Sequence, residues 1–170
     1  MTGPGRLVAG MLVLGACRAL ADGPESQHRD PTLGIALTVP AGWRVTPLAG
    51  DTWRLGIASP PTQEQARGVG QPADNPRYQD VLVGPAATDA PQRLCRGREE
   101  TLTVAGARAM ACDSQHAVGS DPGLLVAARD VFVPGPHGLI RLAAEGESDR
   151  LGADRRSALE AVLQGLRLLP

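Results

Sequence analysis

Glycine and proline interrupt this chain so often that long uninterrupted elements are not expected in most of it. The 170 residues include 21 glycines and 15 prolines, about a fifth of the total. Glycine supplies the positive φ of tight turns, and proline removes a backbone donor and ends helices and inner strands. We therefore expect many turns and short elements.

The charged residues exclude several kinds of chemistry. All 17 basic residues are arginine, so the chain contains no titratable side-chain amine for a Schiff base, a pyridoxal phosphate anchor or a phosphate loop. The net charge of −1 offers no basic field for a nucleic-acid backbone. We accordingly predict no nucleic-acid partner and no cofactor.

Residues 1–21 have the pattern of a signal peptide. Arg6 gives a short positive region, and the uncharged apolar run Leu7–Leu14 follows. This run is too short to span a bilayer, which requires about 20 residues. The small-x-small sequence Ala19-Leu20-Ala21 then offers a cleavage site.

A second processing site overlaps the first. Leu14-Gly15-Ala16-Cys17 resembles a bacterial lipobox, in which the cysteine is lipidated and becomes the first residue of the mature protein. Both sites fit the apolar run, and the choice between them stays open. Either one exports the chain, so we predict a periplasmic or extracellular protein, anchored to the membrane only if Cys17 carries lipid.

Export also bears on the other cysteines. With Cys17 removed or lipidated, Cys95 and Cys112 form an even pair in an oxidising compartment, which favours a disulfide over two buried thiols. Such a bridge closes a loop of about 18 residues and stabilises the fold by about 3 kcal/mol. No C-x-x-C spacing indicates a redox site or a zinc knuckle.

The remaining chain is predicted to be a linker followed by one domain. Residues 22–32 are polar and contain two prolines, which is typical of a flexible linker. The domain is expected over residues 33–170. Within it, residues 59–78 show no hydrophobic period and are predicted to form a long surface loop.

Hydrophobic periodicity predicts mostly strands in this domain. Between residues 35 and 57, apolar residues alternate in three short runs, which predict an antiparallel meander. Turns at Ala105-Gly106 and at residues 134–138 predict two hairpins, and Leu124–Val133 is the longest strand candidate.

The last segment changes its period to that of a helix. From Asp149 onward, leucine, valine and alanine recur at spacings of three, four and seven, and Ser148 or Asp149 could cap the start. The predicted fold class is therefore α+β: an antiparallel sheet of about six to seven strands with a C-terminal amphipathic helix packed on one face.

Three aromatic residues are candidates for contact with a ligand or partner. Trp43 and Trp53 lie ten residues apart on neighbouring predicted strands, where they could grip a ligand or anchor an otherwise aliphatic core. Tyr78 closes the 59–78 loop. The tryptophans are better explained as core anchors, because the chain has only two other aromatic residues.

No catalytic, metal-binding or cofactor-binding residue is predicted. His28, His116 and His137 fall in the predicted linker and loops, and the sequence lacks a G-x-S-x-G nucleophile motif. Glu99-Glu100 and Asp113 could form a carboxylate pair across a hairpin, but solvated strand ends explain them equally well. The mixed-charge patch of Glu99, Arg96 and Arg98 is interpreted as a solvated rim.

Two segments of the chain resemble PsbP-like domains, a family named for an extrinsic photosystem protein. Leu33–Val45 contains Pro40-Ala-Gly-Trp43, similar to the family's strand, Pro-x-Gly-Trp, strand opening. Gly138–Leu169 resembles its closing hairpin and amphipathic helix. Ile35 and Leu37 depart from the family, which usually has an aromatic in the first strand.

The resemblance implies a PsbP-like sandwich, a fold shared with a Ran-binding nuclear import factor, and no shared catalytic set. We therefore predict an exported envelope protein that acts as a non-enzymatic binding or accessory module. It is expected to contact an envelope protein or a small apolar ligand through a sheet edge or the 59–78 loop. The alternatives are a small hydrolase using His116 or His137 and a purely structural envelope protein.

Overall fold

The computed structural model describes residues 25–60, 79–118, 121–146 and 151–170, with the side chains of 116–118 and 121–125 outside the description. The elements in these ranges are β1 (Ser26–Asp30), β2 (Ile35–Val39), β3 (Arg44–Pro47), β4 (Leu55–Ala58), β5 (Val81–Ala86), α1 (Ala90–Cys95), β6 (Glu100–Val104), β7 (Ala107–Val118), β8 (Asp121–Gly135), β9 (Gly138–Glu145), α2 (Ala153–Gly165) and β10 (Leu166–Leu168).

The strands form two antiparallel sheets. The small sheet has the order β1-β2-β10, and the large sheet, with seven strands among the described residues, has the order β3-β4-β5-β9-β8-β7-β6. Two of its hairpins are the predicted ones. At Ala105-Gly106 both residues have positive φ, as a type I′ turn requires, although the sequence points only to the glycine.

The main core lies between the large sheet on one side and the small sheet with α2 on the other. Alternate residues of the central strands point into it, so that Val131, Val133 and Leu142 are almost completely buried. From α2, Leu159 and Val162 pack onto the same core. The predicted α+β class, with the C-terminal helix on the apolar face of an antiparallel sheet, is confirmed.

The structure corrects the predicted linker. Residues 22–24 lie outside the described residues, but Ser26–Asp30 is strand β1 and pairs with β2 along its whole length. The sequence pattern does not reveal this strand because its side chains are polar. A strand at a sheet edge can expose such side chains to water while its backbone still forms hydrogen bonds with its neighbour. Order in the described chain therefore begins before Leu33.

The predicted meander is also wrong in its pairing. β2 belongs to the small sheet, whereas β3 and β4 form a hairpin at one edge of the large sheet. Alternation correctly identifies Ile35, Leu37 and Val39 as buried, but it does not say which strand lies beside them.

The helix α2 begins later than the sequence suggests. Its N-cap position is Gly152, which contributes no side-chain hydrogen bond. Ser148 and Asp149, the expected caps, lie outside the described residues and before this position. After the helix the chain adds β10, a third strand of the small sheet that pairs with β2.

Candidate functional site

The face of the large sheet turned away from the main core carries a second, smaller hydrophobic cluster. Ala90 and Cys95 of α1 pack there against Cys112 of β7 and Phe132 of β8. Cys95 and Cys112 form a disulfide, with a Cα–Cα distance of 5.5 Å, as the cysteine count predicts. The bridge fixes the end of α1 to the sheet.

A buried charge network lies beside this cluster. The carboxylate of Asp130 has no exposed surface and accepts hydrogen bonds from Arg141 Nε at 2.6 Å and from the Ser114 hydroxyl at 2.5 Å. Arg141 Nη2 also lies 2.6 Å from Asp130 Oδ1, the oxygen that accepts the hydrogen bond from Arg141 Nε. Because a buried charge is tolerated only when it is paired, these contacts explain how Asp130 sits in the middle of an apolar strand.

Trp53 covers the arginine of this network. The guanidinium carbon of Arg141 lies 4.6 Å from the centroid of the indole ring, a cation–π distance. The backbone of Thr52 and Trp53 lies close to β5, since a Cβ on Gly84 would lie 2.1 Å from the carbonyl oxygen of Thr52. Glycine at this position is what allows the Trp53 segment to lie over the sheet.

The two tryptophans contact different faces of the large sheet. Trp43 packs against the main core, as the core-anchor interpretation predicts, while Trp53 covers a salt bridge on the other face of the large sheet. Tyr78 and most of the predicted 59–78 loop lie outside the described residues, as do residues 1–24 with Cys17.

A cleft of about 530 Å³ opens at the edge of the large sheet, beside the end of α1. Among the described residues, its charged lining consists of three arginines and one aspartate, Arg96, Arg98, Arg156 and Asp113, next to Leu94, Ser114 and Leu151. The described part of the lining thus has a formal charge of +2. We call this feature the β7-edge cleft.

One wall of the β7-edge cleft is the turn that follows α1. Arg96 adopts a left-handed conformation with φ of 52°, and its N–H donates to the Gln92 carbonyl. The N–H of Arg98 donates to the carbonyl of Cys95, so the disulfide-bonded residue also fixes this turn. Both arginine side chains are exposed, and within the described residues neither forms an ion pair.

The other wall comes from the start of α2. Arg156 Nη2 lies 3.0 Å from the carboxylate of Asp113, which also lies 3.8 Å from Arg129. Arg129 forms a further ion pair with Glu100. Glu100 and Asp113 are therefore held by a shared arginine and do not form an acid–base pair of carboxylates.

The pKa of Arg129 lies below its ordinary value, because burial and the neighbouring positive charge of Arg156 both disfavour the protonated form. Glu160 and Asp130 act in the opposite direction.

The cleft follows a stretch of β7 that extends past its neighbour. β6 pairs with β7 only from Ala107 to Ala111, whereas β7 continues to Val118. Beyond Ala111, no other strand in the described ranges lies on that side of β7. The backbone groups of Asp113 on this edge are therefore positioned to pair with an added strand.

A second cavity, of about 330 Å³, lies at one end of the sandwich near His137, Leu33 and Arg54. Arg54 Nε donates to Asp30 at 3.1 Å there. Burial tends to raise the pKa of Asp30, but the Leu33 N–H and Arg54 outweigh this effect, and the pKa lies below its ordinary value. Asp30 thereby ties β1 to the loop before β4.

The two histidines whose side chains are described lie on different elements. His137 is exposed at the tip of the β8–β9 hairpin, and His28 lies half-buried in β1. Both oxygens of Asp130 are engaged by Arg141 and Ser114, so this carboxylate does not orient a histidine. The side chain of His116 lies outside the description, and the described residues contain no group of three His, Cys, Asp or Glu that could hold a metal.

Sequence reasoning did not predict the buried network or the cleft. A signal for the network was present, since Asp130 and Arg141 interrupt two apolar strand candidates that were expected to pair. Arg96 and Arg98 are exposed, as the solvated-rim interpretation expects, but the sequence does not show that Arg156, some 60 residues later, lines the same cleft.

Comparison with known proteins places the chain near several solved structures. No protein-family model matches it, and no curated protein does. LpqN, involved in cell envelope biogenesis of Mycobacterium tuberculosis, is 19% identical, with a TM-score of 0.45 over 88% of this chain and 87% of LpqN. Cyanobacterial PsbP from Synechocystis is 13% identical, with a TM-score of 0.47 over 91% and 98% of the two chains.

A protein from Bacteroides thetaiotaomicron is 7% identical, with a TM-score of 0.46 over 86% of this chain and 49% of its own length. The Synechocystis protein is a PsbP, the family that the two ends of the sequence resemble. Among the described residues, no helix is both long and apolar enough to cross a membrane.

Proposed function

We propose that this chain is an exported, non-enzymatic binding module of the cell envelope, and that the β7-edge cleft is its binding site. The observation that carries the proposal is the cleft itself, about 530 Å³ in volume and lined by arginines of which two have no ion-pair partner among the described residues. Desolvated or unpaired arginines at a concave surface are typical of binding sites for carboxylate or phosphate groups.

Two further features support a binding role over catalysis. The groups near the cleft that could act as nucleophile or base are already engaged, since Ser114 donates to Asp130 and Asp113 pairs with Arg156. The disulfide holds one wall rigidly against the sheet, and a preformed wall lowers the entropy lost on binding.

The polar lining favours a protein partner over the small apolar ligand that the sequence also allowed. The leader pattern of residues 1–21 and the disulfide support export, because disulfides persist in oxidising compartments. The mass of the protein recovered from the envelope shows whether Cys17 carries a lipid that tethers the module to a membrane.

Site-specific photo-crosslinking in the native host tests the proposal. The full chain is expressed with benzoylphenylalanine in place of Arg98 in the cleft wall, or in place of Arg44 on β3 at the opposite edge of the large sheet. We expect a discrete protein adduct in the envelope fraction from position 98 and none from position 44. Equal adducts at both positions, or none from position 98, would overturn the proposal.

A further inference from the structure

The geometry points to an extended acidic peptide as the occupant of the β7-edge cleft, bound as an added strand along β7; this inference rests on the proposed function. Three observations carry it: the edge of β7 at Asp113, beside which no described strand lies, the two walls that flank that edge, and the positive charge of the described lining. Each limits what the cleft can accept.

The edge of β7 at Asp113 sets the backbone conformation of the occupant. Ala105 and Gly106 form the two-residue turn between β6 and β7, so the flanking residues Val104 and Ala107 exchange backbone hydrogen bonds. Because this pattern alternates along an antiparallel strand, the N–H and C=O of Asp113 point away from β8, toward the edge. An extended peptide lying antiparallel or parallel to β7 satisfies these groups.

The two walls restrict the occupant to a single strand. The side chains of adjacent β7 residues point to opposite faces, as shown by Ser114, which contacts Asp130, and Asp113, which contacts Arg156. Asp113 and Ser114 both line the cleft. The turn after α1 lies on one side of the edge, and Leu151, just before α2, lies on the other. A strand added here lies between these walls, and its side chains alternate between them.

The charges decide which side chains the strand should carry. On the α1 side it meets Arg96 and Arg98, which have no acidic partner in the described structure. On the α2 side it meets Arg156, whose charge is already shared with Asp113. Acidic residues at alternate positions, facing the α1 turn, therefore match the site, and basic residues are disfavoured.

Binding of a defined peptide by fluorescence anisotropy tests the inference. The probe is a fluorescein-labelled heptapeptide in which glutamate and valine alternate, and the protein is recovered from cells that express the full chain. The variant carries Arg96→Glu and Arg98→Glu. Its matched control carries Arg44→Glu and Arg108→Glu, two exposed arginines outside the cleft, so that both proteins change in charge by the same amount.

We expect the cleft variant to bind the probe about tenfold more weakly or worse, since two exposed ion pairs become two repulsions. The control variant should bind like the unaltered protein. A probe methylated on alternate backbone nitrogens keeps every charge but cannot complete a strand ladder, and it should also bind at least about tenfold more weakly.

Three results would overturn the inference. Equal affinity of both variants would show that the arginines of the cleft do not recognise the probe. Undiminished binding of the methylated probe would exclude strand addition. Displacement of the probe by an oligonucleotide as readily as by unlabelled peptide would indicate a site for polyanions in general.

The peptide experiment can fail while the proposed function holds. If position 98 crosslinks to a partner but the probe does not bind, the cleft is a binding site for another chemistry. A second copy of this chain as the crosslinked partner would likewise contradict only the acidic-peptide inference, because edge-to-edge pairing of two β7 strands would then fill the cleft.

Discussion

At the scale of single residues, Asp130 shows how this protein tolerates a charge inside a sheet. Its carboxylate is fully buried, and an unpaired carboxylate there would lose its hydration without compensation. Arg141 and Ser114 replace the lost water contacts, and Trp53 shields the guanidinium from solvent. The network connects β7, β8 and β9 across the face that carries the disulfide.

Removing only one partner of the Asp130–Arg141 pair should therefore destabilise the protein far more than removing both charges. We predict that Arg141→Met lowers the free energy of unfolding by about 3–5 kcal/mol, because Asp130 is left as an unbalanced buried charge. Arg108→Met, an exposed arginine on β7, should change it by less than about 0.5 kcal/mol. Urea denaturation of both variants measures the difference.

The double variant Arg141→Met, Asp130→Asn distinguishes a coupled pair from two independent losses. With the carboxylate neutralised, the double variant should be more stable than Arg141→Met alone. If the losses in the free energy of unfolding caused by Arg141→Met and by Asp130→Asn simply add in the double variant, the two residues do not interact as the structure indicates.

At the scale of elements, the end of α2 is packed so tightly on β2 that only glycine fits. A Cβ on Gly165 would lie 1.8 Å from the carbonyl oxygen of Thr38, well inside van der Waals contact. This close approach lets the chain pass directly from α2 into β10, which completes the small sheet beside β2. The helix and the small sheet therefore depend on each other.

We predict that Gly165→Ala lowers the free energy of unfolding by about 1–3 kcal/mol, because the helix end must move away from β2. Gln164→Ala, at the exposed neighbouring position, should be nearly neutral. Thermal unfolding followed by circular dichroism measures both variants. A Gly165→Ala protein as stable as the Gln164→Ala protein would contradict this packing.

Periodicity predicts the elements of this chain well where side chains are buried on one face. It identifies Ile35–Val39 as a strand and the last segment as a helix, because their apolar residues recur at the spacing that burial requires. It misses β1 and β10, which are short strands stabilised by backbone pairing to β2. β1 leaves no apolar period because its side chains are polar, and Leu166 of β10 also fits the helical spacing of the preceding segment.

At the scale of the whole molecule, the two faces of the large sheet are covered unequally. The small sheet and α2 cover one face and enclose the main core, whereas the six-residue α1 and its disulfide cover part of the other. β6 is too short to cover the far end of β7, and the cleft lies where these coverings stop. The candidate site thus follows from element lengths more than from any sequence motif.

This origin explains why the site could not be predicted from sequence. The charged groups of the cleft come from separate parts of the chain. Arg96 and Asp113 belong to neighbouring elements, and Arg156 belongs to the last helix. Each is an ordinary charged surface residue by pattern. A prediction that a sheet edge serves as the contact surface was possible from fold class alone, but the choice of β7 required the register of β6.

The most direct test of the account is whether the edge of β7 is open, and amide hydrogen exchange measures this by NMR. In the protein without peptide, the Asp113 amide, which points to the edge, should exchange orders of magnitude faster than the Ser114 amide, which points to β8. Adding the alternating glutamate–valine peptide should slow exchange at Asp113 and leave Ser114 unchanged. Equal protection of the two amides before any peptide is added would contradict the account.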